Sequence, residues 1–191
     1  MPALRTAALV SAALVALSAC NKKKPVTEAA PAPAATPVSD NSGNNDADRD
    51  RAERERLERE RAERERRLAE MRRTMAEPIY FGFDRSDLTA EARQSLEAKW
   101  TILRANPSMR IIIEGNADDL GSDEYNLALG QRRAAAAKRF LTQREIDADR
   151  IEIASFGEER PTCQDATDEC RARNRRDEFR ITAGEPVVSE R

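Results

Sequence analysis

Histidine is absent from all 191 residues, so the side chain that most often serves as general base or metal ligand near neutral pH is missing. The chemistry on offer is that of three cysteines, Cys20, Cys163 and Cys170, and of many carboxylates and guanidinium groups. Asn116, Asp118, Asp119 and Asp123 form an oxygen-rich segment that invites a calcium reading. An EF-hand loop needs oxygen ligands at positions one, three and five, a glycine at six and a glutamate at twelve. Counted from Asn116, position five is Leu120 and position twelve is Leu127, so the template fails. Six residues separate Cys163 from Cys170, without C-x-x-C spacing, which argues against zinc. There is no G-x-S-x-G, no Cys-His arrangement and no grouping of carboxylates into an acid–base pair. The residues therefore offer no metal or cofactor site and weaken most enzyme readings.

Charged residues make up 36% of the chain and aromatics 4%, too few apolar groups for a core along its whole length. The formal charge of −2 lacks the basic excess that neutralising nucleic-acid phosphates requires. Met1–Arg5 carries a positive charge, and Thr6–Leu17 is an apolar run shorter than the roughly 20 residues of a membrane-spanning helix. It ends in Leu17-Ser18-Ala19-Cys20. This stretch resembles a bacterial lipoprotein signal, which implies cleavage after Ala19 and lipidation of Cys20. Two or three acyl chains anchor stably, each buried methylene adding about 0.8 kcal/mol. By the same resemblance, Asn21 favours sorting to the outer membrane. In an exported protein Cys163 and Cys170 are expected to form a disulfide that closes the loop before the last strand.

Residues 20–47 read as the lipidated terminus and a flexible linker rich in Ala, Pro, Ser, Asn and Asp. Its Lys22–Lys24 run is suited equally to anionic headgroups and to ordinary solubilisation. Residues 48–76 contain the near-repeat RAERERLERE, RAERERRLAE. Glu55–Arg59, Glu60–Arg64 and Glu63–Arg67 are i,i+4 pairs that support a helix. Ala52, Leu57, Ala62 and Leu68 keep no heptad seam, so a single charged helix is expected rather than a coiled coil. Leu68, Met71 and Met75 show helical spacing and should rest on the domain that follows.

That domain spans 77–185, before a short tail at 186–191. Ile79–Phe83 reads as a buried strand. Thr89 caps a helix that ends at Asn106-Pro107. Met109–Glu114 is a second strand, and Ser122 or Asp123 starts a second helix reaching about Gln143. Arg150–Phe156 and Asp177–Thr182 complete a β-α-β-α-β-β order. Strands alternating with helices predict an α/β domain of two layers.

Gly115–Ala134 reads GNADDLGSDEYNLALGQRRA, flanked by Tyr80-Phe81-Gly82-Phe83-Asp84 upstream and Asn174-Arg175-Arg176 downstream. The three motifs, in this order, resemble the OmpA-like peptidoglycan-binding domain. The resemblance covers about Ile79–Ile181 and implies that the ligand is the diaminopimelate of the peptidoglycan stem, whose side chain ends in an ammonium and a carboxylate. Asp118 matches the family's aspartate, facing the ammonium. Arg133 matches its arginine, whose planar fork suits a carboxylate. Asn126 and Leu129 are expected beside them, with Asp84 and Arg176 at the rim, and Gly130 allows a close approach. Asn116 stands where the family usually has histidine; it retains hydrogen bonding to nearby backbone but not charge. The resemblance also implies the membrane as an anchor and Tol-type envelope proteins as partners. A scaffold that docks such proteins and a wall hydrolase are the alternatives to a wall binder.

Overall fold

The computed structural model describes residues 42–187. The signal-like segment, Cys20, the linker up to Asn41 and the last residues of the tail lie outside the described residues. Among the described residues no helix is long and apolar enough to cross a membrane.

Among the described residues the α-helices and strands are α1 (Ser42–Ala76), β1 (Ile79–Tyr80), α2 (Ala90–Ala105), β2 (Arg110–Asn116), α3 (Asp123–Thr142), β3 (Ile151–Gly157), α4 (Asp168–Asn174) and β4 (Arg176–Ala183), with a 3-10 turn at Ala148–Arg150 before β3. One four-stranded sheet has the order β1-β4-β2-β3. The pair β2/β3, joined through α3, is parallel, and β4 runs antiparallel to β2 and β1. Ile111 and Ile113 lie opposite Ile151 and Ile153 on one side and Ile181 and Phe179 on the other. Directly opposed residues share a sheet face, so these side chains form one apolar surface. Leu96 and Leu103 of α2 and Ala134 and Leu141 of α3 belong to the same buried cluster. The opposite face is polar: Arg180 donates to Glu114 at 2.9 Å, and Arg160 lies 3.5 Å from the same carboxylate. The expected two-layer α/β architecture is present.

Caps set both long helices where the sequence places them. Thr89 Oγ1 accepts from the Ala92 N–H at 3.1 Å, and Ser122 Oγ from the Tyr125 N–H at 3.3 Å. Three boundaries differ from expectation. The strand expected over Ile79–Phe83 stops at Tyr80, because the carbonyls of Phe81 and Gly82 accept from distant arginines instead of a neighbouring strand. The segment before the last strand, expected as loop, contains α4, capped by Thr167, whose Oγ1 accepts from the Cys170 N–H at 3.2 Å. The charged helix begins at Ser42, six residues before Asp48, with no proline after Pro37 to stop its extension.

At roughly 1.5 Å per residue, α1 spans about 50 Å. The expected pair Glu55–Arg59 forms at 3.1 Å, and Glu63 and Arg67 pair as well. Of the three residues expected to rest on the domain, Met75 is buried and Met71 packs on the core, while Leu68 is half-buried outside that cluster. Buried Lys99 of α2 donates to Thr74 O at 2.6 Å and Ser95 Oγ at 3.2 Å. It satisfies a carbonyl that the end of α1 leaves without a helical partner. Burial pulls this lysine down to about 8, with Glu77 opposing.

Candidate functional site

Two glycines determine how closely α3 approaches the sheet. A Cβ on Gly115 of β2 would lie 2.0 Å from Gly130 O, and one on Gly130 would lie 2.3 Å from Ser155 Oγ. Gly130 thus admits backbone, not a ligand. The contact carries Arg133, one turn further along α3, to the end of β2. There Nη1 donates to Asn116 O at 2.8 Å, Nε to Arg85 O at 2.8 Å and Nη2 to Gly82 O at 3.2 Å. The Phe81 ring lies 5.2 Å from the guanidinium. Arg133 is fully buried and joins the β1–α2 loop to the end of β2. Of its five N–H donors, one on each terminal nitrogen has no partner among the described residues. Burial pulls the group down to about 10, with Asp177, Asp118 and Asp84 opposing and Arg175 adding to the fall. It remains a cation at neutral pH.

Asp118, on the loop after β2, accepts through Oδ2 from Arg175 Nη1 at 2.9 Å. These side chains are 4% and 14% exposed. No hydrogen bond reaches Asp118 Oδ1 among the described residues, and that oxygen is not among the fully buried orphans. Arg175 Nε also donates to Phe81 O at 3.3 Å. One turn earlier on α4, Arg171 donates to Asp119 at 2.8 Å, which holds the Asp119 carboxyl below its ordinary range. Residues four apart share a helix face, so α4 grips two consecutive aspartates of the loop.

The predicted disulfide Cys163–Cys170 is present, with Cα atoms 5.2 Å apart. Asn174 Oδ1 accepts from the Cys163 N–H at 3.1 Å, closing the same small unit. Replacing both cysteines by serine is expected to lower stability by roughly 2–3 kcal/mol and to loosen both aspartate contacts. Chemical denaturation checks this; a variant as stable as the parent would show that the bond does not restrain α4.

Asp84 sits in the left-handed region, at φ 53°, and accepts from the Tyr125 hydroxyl. Asp118, Arg133 and Asp84 therefore converge where the β1–α2 and β2–α3 loops meet. Two of the other predicted residues, Asn126 and Arg176, are engaged elsewhere. Asn126 is buried and donates to Leu120 O at 3.1 Å and to the Glu158 carboxylate, so it shapes the loop. Leu129 is buried on α3, one turn before Arg133. Arg176 is on the polar sheet face, where it donates to Glu178 Oε1 at 2.7 Å and Arg160 O at 3.0 Å. The arginine of that motif at the site is Arg175. Asn116, in place of the family's histidine, donates to Glu114 O at 3.0 Å, the backbone bond expected of it. Asp177, which has no role in the sequence reading, is also buried near Arg133.

Comparison with known proteins fits this arrangement. The chain is 43% identical over 98 residues to the peptidoglycan-associated lipoprotein of Haemophilus influenzae, spanning 51% of this chain and 64% of that protein. With the Pseudomonas putida protein of the same name it shares 43% over 101 residues, spanning 53% of this chain and 60% of the other. The match thus leaves more than a third of each relative uncovered. Among solved structures, the peptidoglycan-associated lipoprotein of Burkholderia pseudomallei superposes with a TM-score of 0.54 at 33% identity, covering 55% of this chain and 89% of that one. The C-terminal domain of Helicobacter pylori MotB gives 0.52 at 20% identity, covering 56% and 84%, a likeness of fold alone. The OmpA family model matches residues 80–175, a stretch that holds both motif charges, the loops that carry them and the anchoring arginines Arg171 of α4 and Arg175 just after it. The chain belongs to the OmpA family.

Proposed function

We propose that this chain is an outer-membrane lipoprotein that binds peptidoglycan without covalent attachment and so tethers the membrane to the wall. The observation that carries the reading is that Arg133 binds the backbone of Asn116, two residues before Asp118, so that opposite charges of one motif are held at the junction of two loops. A diaminopimelate side chain ends in an ammonium and a carboxylate, the complement of that pair. Asp118 Oδ1 is the acceptor offered to the ammonium, and the two remaining Arg133 N–H groups are the donors offered to the carboxylate. Asp84 and Tyr125 form the rim. Asn126 and Leu129 support the loop and the helix, and Arg176 acts only through the polar sheet face. Lipidated Cys20 is the proposed anchor. The linker and α1 hold the domain away from the membrane, and the protein acts by binding, not catalysis.

Co-sedimentation tests this with the full-length chain carrying Cys20→Ser to prevent lipidation. The parent is expected to pellet saturably with diaminopimelate-type peptidoglycan, and a folded Asp118→Ala variant to stay in the supernatant. Equal pelleting of both would remove Asp118 from the site. Binding of Tol-type partners with no affinity for wall would favour a docking scaffold.

A further inference from the structure

Asp177 is the second residue of β4. It lies opposite Gly115 of β2 and Ile79 of β1, and Ile79 is a core residue. The register therefore aims its side chain at the helix-covered face. The residue is 0% exposed, and neither carboxylate oxygen has a hydrogen-bond partner among the described residues. A buried ionised carboxylate without a partner is strongly unfavourable. Burial holds this carboxyl well above the usual carboxylate range, with Arg133 of α3 pulling the other way. The other charges acting on that guanidinium are Asp118 on the β2–α3 loop, Arg175 at the end of α4 and Asp84 on the β1–α2 loop. Asp118 is already paired with Arg175, and Asp84 is exposed and bonded to Tyr125. Asp177 is thus a buried carboxyl group with no hydrogen bond or ion pair of its own among the described residues, opposite Gly115, whose neighbour Asn116 binds Arg133.

We propose that Asp177 is a positioning residue that competes with the ligand for Arg133: protonated, it leaves the last two N–H groups to the ligand's carboxylate, and ionised, it takes them. The inference rests on the wall-binding reading above. Ligand affinity then falls as pH rises through the titration of Asp177 in the folded protein. Binding takes up a proton, because the bound anion disfavours a second negative charge beside the same guanidinium. The stability linkage has the same sign. A carboxyl raised in the folded state keeps its proton after the unfolded chain has lost its own, so stability declines as pH rises from the ordinary carboxylate value toward the folded one. Asparagine at this position is fixed in the neutral form and removes both dependences.

The test is co-sedimentation with diaminopimelate-type peptidoglycan from about pH 5 to about pH 9, a span chosen to reach a raised carboxyl. It uses the Cys20→Ser chain with and without Asp177→Asn. The chain that retains Asp177 is expected to lose about tenfold in affinity across the range, an ordinary coupling between two sites, while the Asp177→Asn variant binds evenly throughout. Lys99 and the wall's own charges titrate in both experiments and cancel in the difference. Parallel profiles would overturn the inference and leave the wall-binding reading intact. Failure of the chain that retains Asp177 to pellet at any pH would overturn both. Should the variant not fold, calorimetry of the chain that retains Asp177 with a diaminopimelate muropeptide, in buffers of different ionisation enthalpy, decides. Proton uptake on binding is expected, and its absence overturns the proposal.

Discussion

Arg133→Met is expected to lower the unfolding free energy by roughly 3–5 kcal/mol, the usual scale for removing one member of a buried, hydrogen-bonded charge cluster. Methionine fills most of the volume, so packing is not the main loss. The loss is electrostatic and directional. The carbonyls of Asn116, Arg85 and Gly82 together lose the donor that gathers them, and each buried acceptor left without a partner is unfavourable by about 1–3 kcal/mol unless water reaches it. Both loops at the proposed site depend on those bonds, so wall binding should vanish even in the folded fraction. Arg133→Lys keeps the charge but cannot reproduce the planar fork. It should recover part of the stability and little of the binding. A methionine variant as stable as the parent, measured by urea denaturation, would contradict the assignment of Arg133 as the tie between the loops.

Gly115→Ala is expected to have an effect of similar size by a different route. Its Cβ would lie 2.0 Å from Gly130 O and 2.6 Å from the carbonyl carbon, atoms of backbone that cannot rotate away. The helix α3 must move off β2, and overpacking of a core contact typically destabilises by about 1–3 kcal/mol, more where backbone has to shift. The same movement draws Arg133 away from Asn116 O, so binding should weaken along with stability. Gly82→Ala is the control. Its added methyl would approach only the Arg85 side chain, at 3.3 Å, and a flexible stem can give way. A stability change there comparable to that of Gly115→Ala would mean that crowding against α3 is not the cause.

The parts of the fold that depend on neighbours in sequence are readable from sequence. Thr89 and Ser122 cap their helices because a hydroxyl reaches an amide only three residues ahead. The alternation of Ile111, Ile113, Ile151 and Ile153 marks a sheet covered on one side. What the sequence hides is settled by contacts across long separations. Phe81–Phe83 has strand-like residues, yet donors from Arg133 and Arg175, more than fifty residues away, turn it into a loop. The helix α4 is too short to announce itself, and it is held by Cys163–Cys170 and by Asn174.

The same division runs through the site. Asp118 and Arg133 are legible because the motif fixes them. Arg175 and Arg176 are adjacent and chemically alike, so only the strand's alternation tells which one faces the loop. Asn126 shares a helix face with Leu129 and Arg133, but its amide is engaged by Leu120 O and the Glu158 carboxylate. Asp177 resembles any other carboxylate of a charged chain until the register places it opposite Gly115. A rule that would have found it is available: in a short strand, a charged residue in phase with the apolar ones, here Phe179 and Ile181, points into the core and needs a reason.

In the proposed site two opposite charges recognise a zwitterionic side-chain end. Calorimetric titration of the Cys20→Ser chain with two muropeptides, alike except that one carries diaminopimelate and the other lysine in the stem, tests it most directly. Lysine keeps the ammonium for Asp118 and lacks the carboxylate for Arg133. Binding of the diaminopimelate form is expected to be at least about tenfold tighter, the scale of one lost charged contact. Equal affinities would contradict it, because Arg133 would then hold the loops together without taking part in recognition.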